Sequence, residues 1–158
     1  MDKISDNLYK TFVYDDRYKY ILEGLGNTLI IAFFAVIIGV ILGIIVSLVR
    51  NNYEVNGKGK ISNFIANSYV TIIRGTPVIL QLMIIYYVIF KSSDVNILIV
   101  GILAFGINSG AYVSEIIRSG INAIDKGQLE AGLALGLSYA KVMRLVIMPQ
   151  AIKIFFQH

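Results

Sequence analysis

The stretch TLIIAFFAVIIGVILGIIVSLV, residues 28–49, contains no charged side chain, and the charge-free run reaches back to Gly24. As a helix rising about 1.5 Å per residue it is long enough to cross about 30 Å of hydrocarbon. The rest of the 158-residue chain agrees: 56% of residues are hydrophobic and 15% charged, and mean hydropathy is +0.71. A soluble domain carries about a quarter charged residues. The segment before this span, residues 1–23, mixes Asp2, Lys3, Asp6, Lys10, Asp15, Asp16, Arg17, Lys19 and Glu23. It is too long and too mixed in sign for a secretory signal, and is expected to stay as an external or interfacial tail. Its Tyr9, Phe12, Tyr14, Tyr18 and Tyr20 suit the headgroup layer, where a ring offers an apolar body and a polar tip.

Outward from that span, residues 50–60 (RNNYEVNGKGK) read as a polar loop. From Ile61 the apolar residues Phe64, Ile65, Ile72 and Ile73 recur at helical spacing until Arg74, and Gly75-Thr76-Pro77 precedes an uncharged run to Phe90. Two readings are open: one long helix over 61–90 kinked at Pro77, which we prefer, or an interfacial helix turning at Gly75 into a short span. After the polar turn KSSD (91–94), residues 95–117 form a third span. The fold class is therefore all-α, a polytopic membrane protein with three spanning helices.

Orientation follows from the basic residues. Arg50, Lys58, Lys60, Arg118, Lys126, Lys141, Arg144 and Lys153 fall on one side, against Lys3, Lys10, Arg17, Lys19 and Lys91 on the other. The richer side is expected to be cytoplasmic and the N-terminus outside. Scattered between apolar runs, these charges report topology and do not point to nucleic acid.

Ionisable groups at membrane depth are costly and face a bundle interior or mark a pathway. Arg74 and Glu115 are the two here; either they pair or each snorkels separately to the headgroups. Asn108, Ser109, Gly110 and Tyr112 form a small, polar patch that packs helices closely or lines a polar cavity. The spacings Gly39-x3-Gly43 and Gly106-x3-Gly110 favour close helix contact.

No catalytic residue and no metal site is legible. The chain has no cysteine, one histidine (His158), no serine-hydrolase or zinc-protease motif and no phosphate-binding loop. Any use of ATP is expected to belong to another chain.

After Arg118 the sequence changes character. In residues 118–149, charged residues are interspersed with apolar ones; Gln128-Leu129-Glu130-Ala131 starts a helix, Gly136 ends or bends it, and Ser138 caps a second one running toward Met148-Pro149. Two short helices make a knob at the cytoplasmic face. Glu130-Ala131-Gly132-x3-Gly136-x9-Val146-x-Met148-Pro149 resembles the EAA loop of membrane subunits of bacterial ABC importers, EAA-x3-G-x9-I-x-LP, with Gly132, Val146 and Met148 as conservative departures. Gly26-Asn27-Thr28-Leu29, Arg74-Gly75-Thr76-Pro77, Ala111-Tyr112-x2-Glu115-x2-Arg118 and Lys126-Gly127-Gln128 are similar to the polar amino acid subfamily.

The resemblance implies a permease subunit of an ATP-driven amino acid uptake system in the bacterial inner membrane. It implies ABC ATPase subunits docked on the EAA loop, a second permease subunit, an extracellular solute-binding protein and a polar amino acid as substrate. No cofactor is expected on this chain, since ATP is used by the partner ATPase. Glu130, Ala131, Gly132, Gly136 and Pro149 would form the ATPase-coupling element. Arg74, Thr76, Pro77, Asn108, Ser109, Tyr112, Glu115 and Arg118 are candidates for the pathway or for helix pairing. The family pattern continues past Pro149-Gln150-Ala151 with further spanning helices, so a chain ending at His158 is expected to be incomplete. A second reading, of a different class, is a truncated, non-transporting membrane protein that binds an ATPase or an intact permease as a regulatory or vestigial partner. A third, an ion channel, has only the 108–112 patch behind it.

Overall fold

A computed structural model describes residues 3, 9, 11, 12, 14–91 and 94–155. Asp2, Asp6 and Lys10 of the expected tail, Ser92 and Ser93 of the polar turn, and residues 156–158 lie outside the described residues. Helices account for nearly all of the rest, and no strand occurs among the described residues.

Helix α1 spans Arg17–Asn56, well beyond the expected 28–49 at both ends. Residues 50–56, expected as loop, contain no glycine or proline to stop the helix, so it runs on until Gly57. There the backbone turns left-handed (φ 63°), and the Gly57 amide donates to the Tyr53 carbonyl at 2.9 Å. Gly59 is also left-handed (φ 84°), so the loop shrinks to three residues before α2, Lys60–Gly75.

The single kinked helix preferred over 61–90 does not form. Thr76 is extended (φ −121°, ψ 144°) and Pro77 stands just ahead of α3, Val78–Ile84, which widens into a π-turn at Ile85–Ile89. Proline disfavours helical backbone in the residue before it and has no N–H to continue the ladder. The two helical pieces meet at 110°. Gln81, 8% exposed, ties the break together: its amide donates to the carbonyls of Ile73 (2.8 Å) and Thr76 (3.1 Å) and to the Thr76 hydroxyl (2.9 Å).

Helix α4, Ile97–Asn122, is capped by the Asn96 side chain, which accepts from the Leu98 amide at 2.9 Å. It is the second helix long and apolar enough to cross a membrane; the broken pair α2–α3 is a third if counted as one span. α1 and α4 run in parallel register. Ile31 meets Gly101, Ile38 meets Gly106, Leu42 meets Gly110, and in return Gly39 meets Ser109 and Gly43 meets Val113. Both glycine pairs therefore work within this chain, each admitting a side chain from the facing helix. α3 lies antiparallel to α4, with Ile85 against Val100 and Ala104, and Gln81 against Asn108.

The segment after α4 folds back on its end. Helix α5, Lys126–Ala134, starts two residues earlier than expected because Asp125 caps it, accepting from the Gly127 amide at 2.7 Å. Gly136 is left-handed (φ 80°) and turns the chain into α6, Tyr139–Val142. Ser138 precedes α6 as expected, but its side chain makes no cap bond. The helix then widens into a π-turn at Met143–Ile147 and continues as α7, Met148–Phe155, past the expected stop at Pro149. The Met148 amide reaches back five residues to the Met143 carbonyl. That widening displaces the carbonyl a proline ring would otherwise meet one turn earlier. Ile124, Val142, Met143, Ile147 and Ala151 form the core that joins knob and α4.

Candidate functional site

Where the close-packed seam of α1 and α4 ends, charge begins. Seven residues past Gly43, Arg50 donates from Nη1 to Oε2 of Glu115 at 2.7 Å. Arg74 of α2 lies 3.7 Å from the same oxygen, and Arg118 lies 3.6 Å from Oε1. Arg118 in turn clasps Oε1 of Glu54 through Nε (3.0 Å) and Nη2 (2.8 Å). Two carboxylates thus serve three guanidiniums drawn from three helices. The Arg50 side chain is only 10% exposed and that of Glu115 28%. A buried charge needs such a partner, because withdrawing it from water costs several kcal/mol (about 3 or more) if it stands alone.

Arg74 also stacks 5.5 Å over the Tyr112 ring, so its guanidinium is shared between a carboxylate and a π-face. One turn deeper, the Asn108 amide donates to Oε1 of Gln81 at 3.2 Å, and the Tyr69 hydroxyl donates to the Ile107 carbonyl across Gly110. Thr76 donates from its hydroxyl to the Ile72 carbonyl at 2.9 Å. The broken helix, the 108–112 patch and the charged cluster are therefore one continuous polar track along α4. Of the residues singled out in sequence, it joins Arg74, Thr76, Asn108, Tyr112, Glu115 and Arg118. Ser109 instead packs on Gly39, and Pro77 is exposed at the break.

The knob lies at the same end. Tyr139 of α6 accepts a hydrogen bond from the Asn51 amide of α1, and burial pushes its phenol above the ordinary range, against the opposing effect of that bond. Between them lies a cavity of about 470 Å³ whose walls include Asn51, Glu54, Leu129, Glu130, Tyr139 and Met143. Glu130 and Ala131 are exposed on α5, Gly136 is exposed at the turn, and Pro149 is exposed in the first turn of α7. Gly132 is buried: a Cβ there would sit 2.7 and 2.8 Å from the Val142 methyls, and Val142 is fully buried. Gly132→Ala is expected to cost the knob about 1–2 kcal/mol by overpacking. Val142→Ala in the same chain should recover part of that loss. Hydrogen exchange of the α5 and α6 amides checks both.

Among the described residues no group of three or more His, Cys, Asp or Glu is placed to hold a metal. Glu54, Gln81, Asn51 and Tyr139 were not singled out in sequence, and Arg50 entered only as an orientation charge. The available signal was the pair Arg50 and Glu54, one helical turn apart, facing the pair Glu115 and Arg118 with charges in complementary order.

The described residues thus form an apolar helical bundle with two to three candidate membrane spans, a polar track along α4 and an exposed two-helix knob. A family model described as "Binding-protein-dependent transport system inner membrane component" matches residues 35–158, and the chain belongs to that family. It is 47% identical over 141 residues to the arginine transport system permease protein ArtQ of Bacillus subtilis (strain 168), covering 85% of this chain and 60% of that one. To the putative glutamine transport system permease protein GlnP of Rickettsia prowazekii (strain Madrid E) it is 39% identical, covering 90% and 64%. A structure described as a crystal structure of an amino acid ABC transporter with histidines superposes with a TM-score of 0.70 at 37% identity, covering 88% of this chain and 64% of that chain. The chain thus spans about three fifths of the length of the relatives it matches.

Proposed function

We propose that this chain contributes part of the translocation pathway of an ATP-driven amino acid uptake system and docks a separate ATPase through the α5–α6 knob. The observation that carries this reading is the knob itself. Glu130 and Ala131 are presented on its surface, Gly132 sits beneath Val142, and the left-handed Gly136 sets the turn. Leu135, 82% exposed, adjoins that turn, and Leu145, 64% exposed, lies on the π-turn that follows α6. Exposed leucines beside an acidic residue suit a partner that offers an apolar cleft with basic or amide donors around it.

In this reading two permease subunits form the pathway and an extracellular solute-binding protein delivers a polar amino acid, the class to which the arginine and glutamine of the relatives' names belong. Closure of the paired ATPases on ATP would move both knobs and switch the pathway from inward- to outward-facing. The N-terminus lies outside and the knob in the cytoplasm. The parallel register of α1 and α4 supports this, because it brings Arg50 and Arg118 to the same end and so sums the basic residues there.

The test uses the chain assembled with its second permease subunit, ATPase and solute-binding protein. Glu130→Ala is expected to insert normally yet lose uptake-coupled ATP hydrolysis, by at least about tenfold if one charge-assisted bond at the docking surface is removed. Coupled uptake at the parental rate in that variant overturns the docking role. Uptake of labelled arginine against glutamine identifies the substrate.

A further inference from the structure

Helix α2 divides into three faces. Ala66 and Val70 are buried against α1 and α4, with Ile73 partly covered beside them. Lys60, Asn67 and Thr71 make an exposed polar edge. The remaining face, roughly opposite the buried one, is apolar and open: Ile61 is 78% exposed, Phe64 71%, Ile65 62% and Ile72 61%. A helix bathed by water on that side would carry polar residues there.

The break at Pro77 says how this face meets the bilayer. α3 follows α4, a spanning helix, in antiparallel fashion, and α2 departs from α3 by 110°. α2 is therefore turned toward the membrane plane, at the end of the bundle that carries Arg50, Arg74 and Arg118. Its start holds Lys58 and Lys60, both exposed, and neither is ion-paired among the described residues. An in-plane helix with large apolar side chains on one face and lysines at its border is built for a negatively charged lipid surface.

We propose that the Lys58–Lys60 elbow and the open face of α2 bind anionic phospholipid, the acyl chains lying against Ile61, Phe64 and Ile65 and the headgroup phosphate against the two lysines. The site stands apart from the knob and does not depend on the ATPase-docking reading.

The chain has no tryptophan, so Phe64→Trp introduces a single fluorescent reporter on this face. The full chain is reconstituted in vesicles of phosphatidylcholine and phosphatidylglycerol at fixed composition, with bromine on the acyl chains of one lipid or the other at equal mole fraction. Brominated phosphatidylglycerol is expected to quench at least about threefold more strongly than brominated phosphatidylcholine, given two lysines at the headgroup level. Lys58→Gln with Lys60→Gln should bring the ratio to about one while leaving the quenching itself, and high salt should do the same. Ile61→Trp repeats the measurement at a second position on the same face. Equal quenching by the two lipids in the parental background overturns the anionic preference. No quenching by either lipid overturns the lipid site altogether and assigns the face to a protein contact, such as a second copy.

Discussion

Gly43→Ala is expected to push α1 and α4 apart and to cost the fold about 3 kcal/mol, the upper end for one added methyl in a packed interior. The cause is where that methyl would fall. A Cβ on Gly43 would lie 2.5 Å from Cγ1 and 2.6 Å from Cβ of Val113, and 3.0 Å from the backbone nitrogen of Ser114. Rotation about χ1 would relieve the Cγ1 contact, but the Cβ and the main chain cannot step aside without moving α4. Gly39, Gly106 and Gly110 lie along the same contact, so a separation at Gly43 loosens their packing as well. Gly24 supplies the comparison. It belongs to the same helix and has nothing within 4 Å of its would-be Cβ, so Gly24→Ala should be neutral or stabilising by up to about 1 kcal/mol. Unfolding in mixed micelles of a mild detergent and dodecyl sulfate, followed by circular dichroism, measures both variants. Equal stabilities for the two would refute the close-packed seam.

The second large effect falls on Glu115. Glu115→Ala leaves Arg50 buried, with its hydrogen-bond partner gone, and leaves three guanidiniums with Glu54 as their remaining carboxylate. Removing one member of a buried ion pair costs about 3–5 kcal/mol. Because Glu115 keeps 28% of its side chain exposed, water can enter the gap, and we expect about 2–3 kcal/mol. The three arginines should rank by burial and distance. Arg50→Ala should approach the Glu115 value, whereas Arg74→Ala, whose side chain is 41% exposed and 3.7 Å away, should cost less than about 1 kcal/mol. The double variant Arg50→Met with Glu115→Met removes both charges and should recover much of the loss. A double variant no more stable than Glu115→Ala would show that shape, not charge pairing, sets the energy.

The long features of this fold were legible because they depend on composition over many residues. The 28–49 and 95–117 runs are apolar enough to read as spans; α1 contains the first, and α4 contains the second except for Val95 and Asn96, which precede it. The boundaries were less legible. α1 continues through Arg50-Asn51-Asn52-Tyr53-Glu54 because polar residues do not stop a helix when no glycine or proline intervenes. Reading those residues as loop hid Arg50 and Glu54 from the search for paired charges. The break at Thr76-Pro77 belongs to the reading that was not preferred, and Gln81, whose amide holds the Ile73 carbonyl across it, lies eight positions away where no local pattern connects the two. In the knob, Gly136 is legible as the residue that ends or bends the helix, while its left-handed backbone comes from the structure and the π-turn that carries the helix past Pro149 has no sequence signature of its own.

The unbroken length of α1 has a mechanical consequence. Its 40 residues make a rod of about 60 Å, twice the thickness of the hydrocarbon layer. Tied near its C-terminal end to Tyr139 through Asn51 and along its middle to α4 through glycine contacts, the rod cannot absorb a displacement locally by bending at a proline or a gap. A rocking of about 10° about its midpoint swings each tip by about 5 Å in opposite directions. A displacement applied at the Asn51 end would therefore appear as an opposed displacement at the Arg17 end, with the tightly packed glycine contacts as the fulcrum.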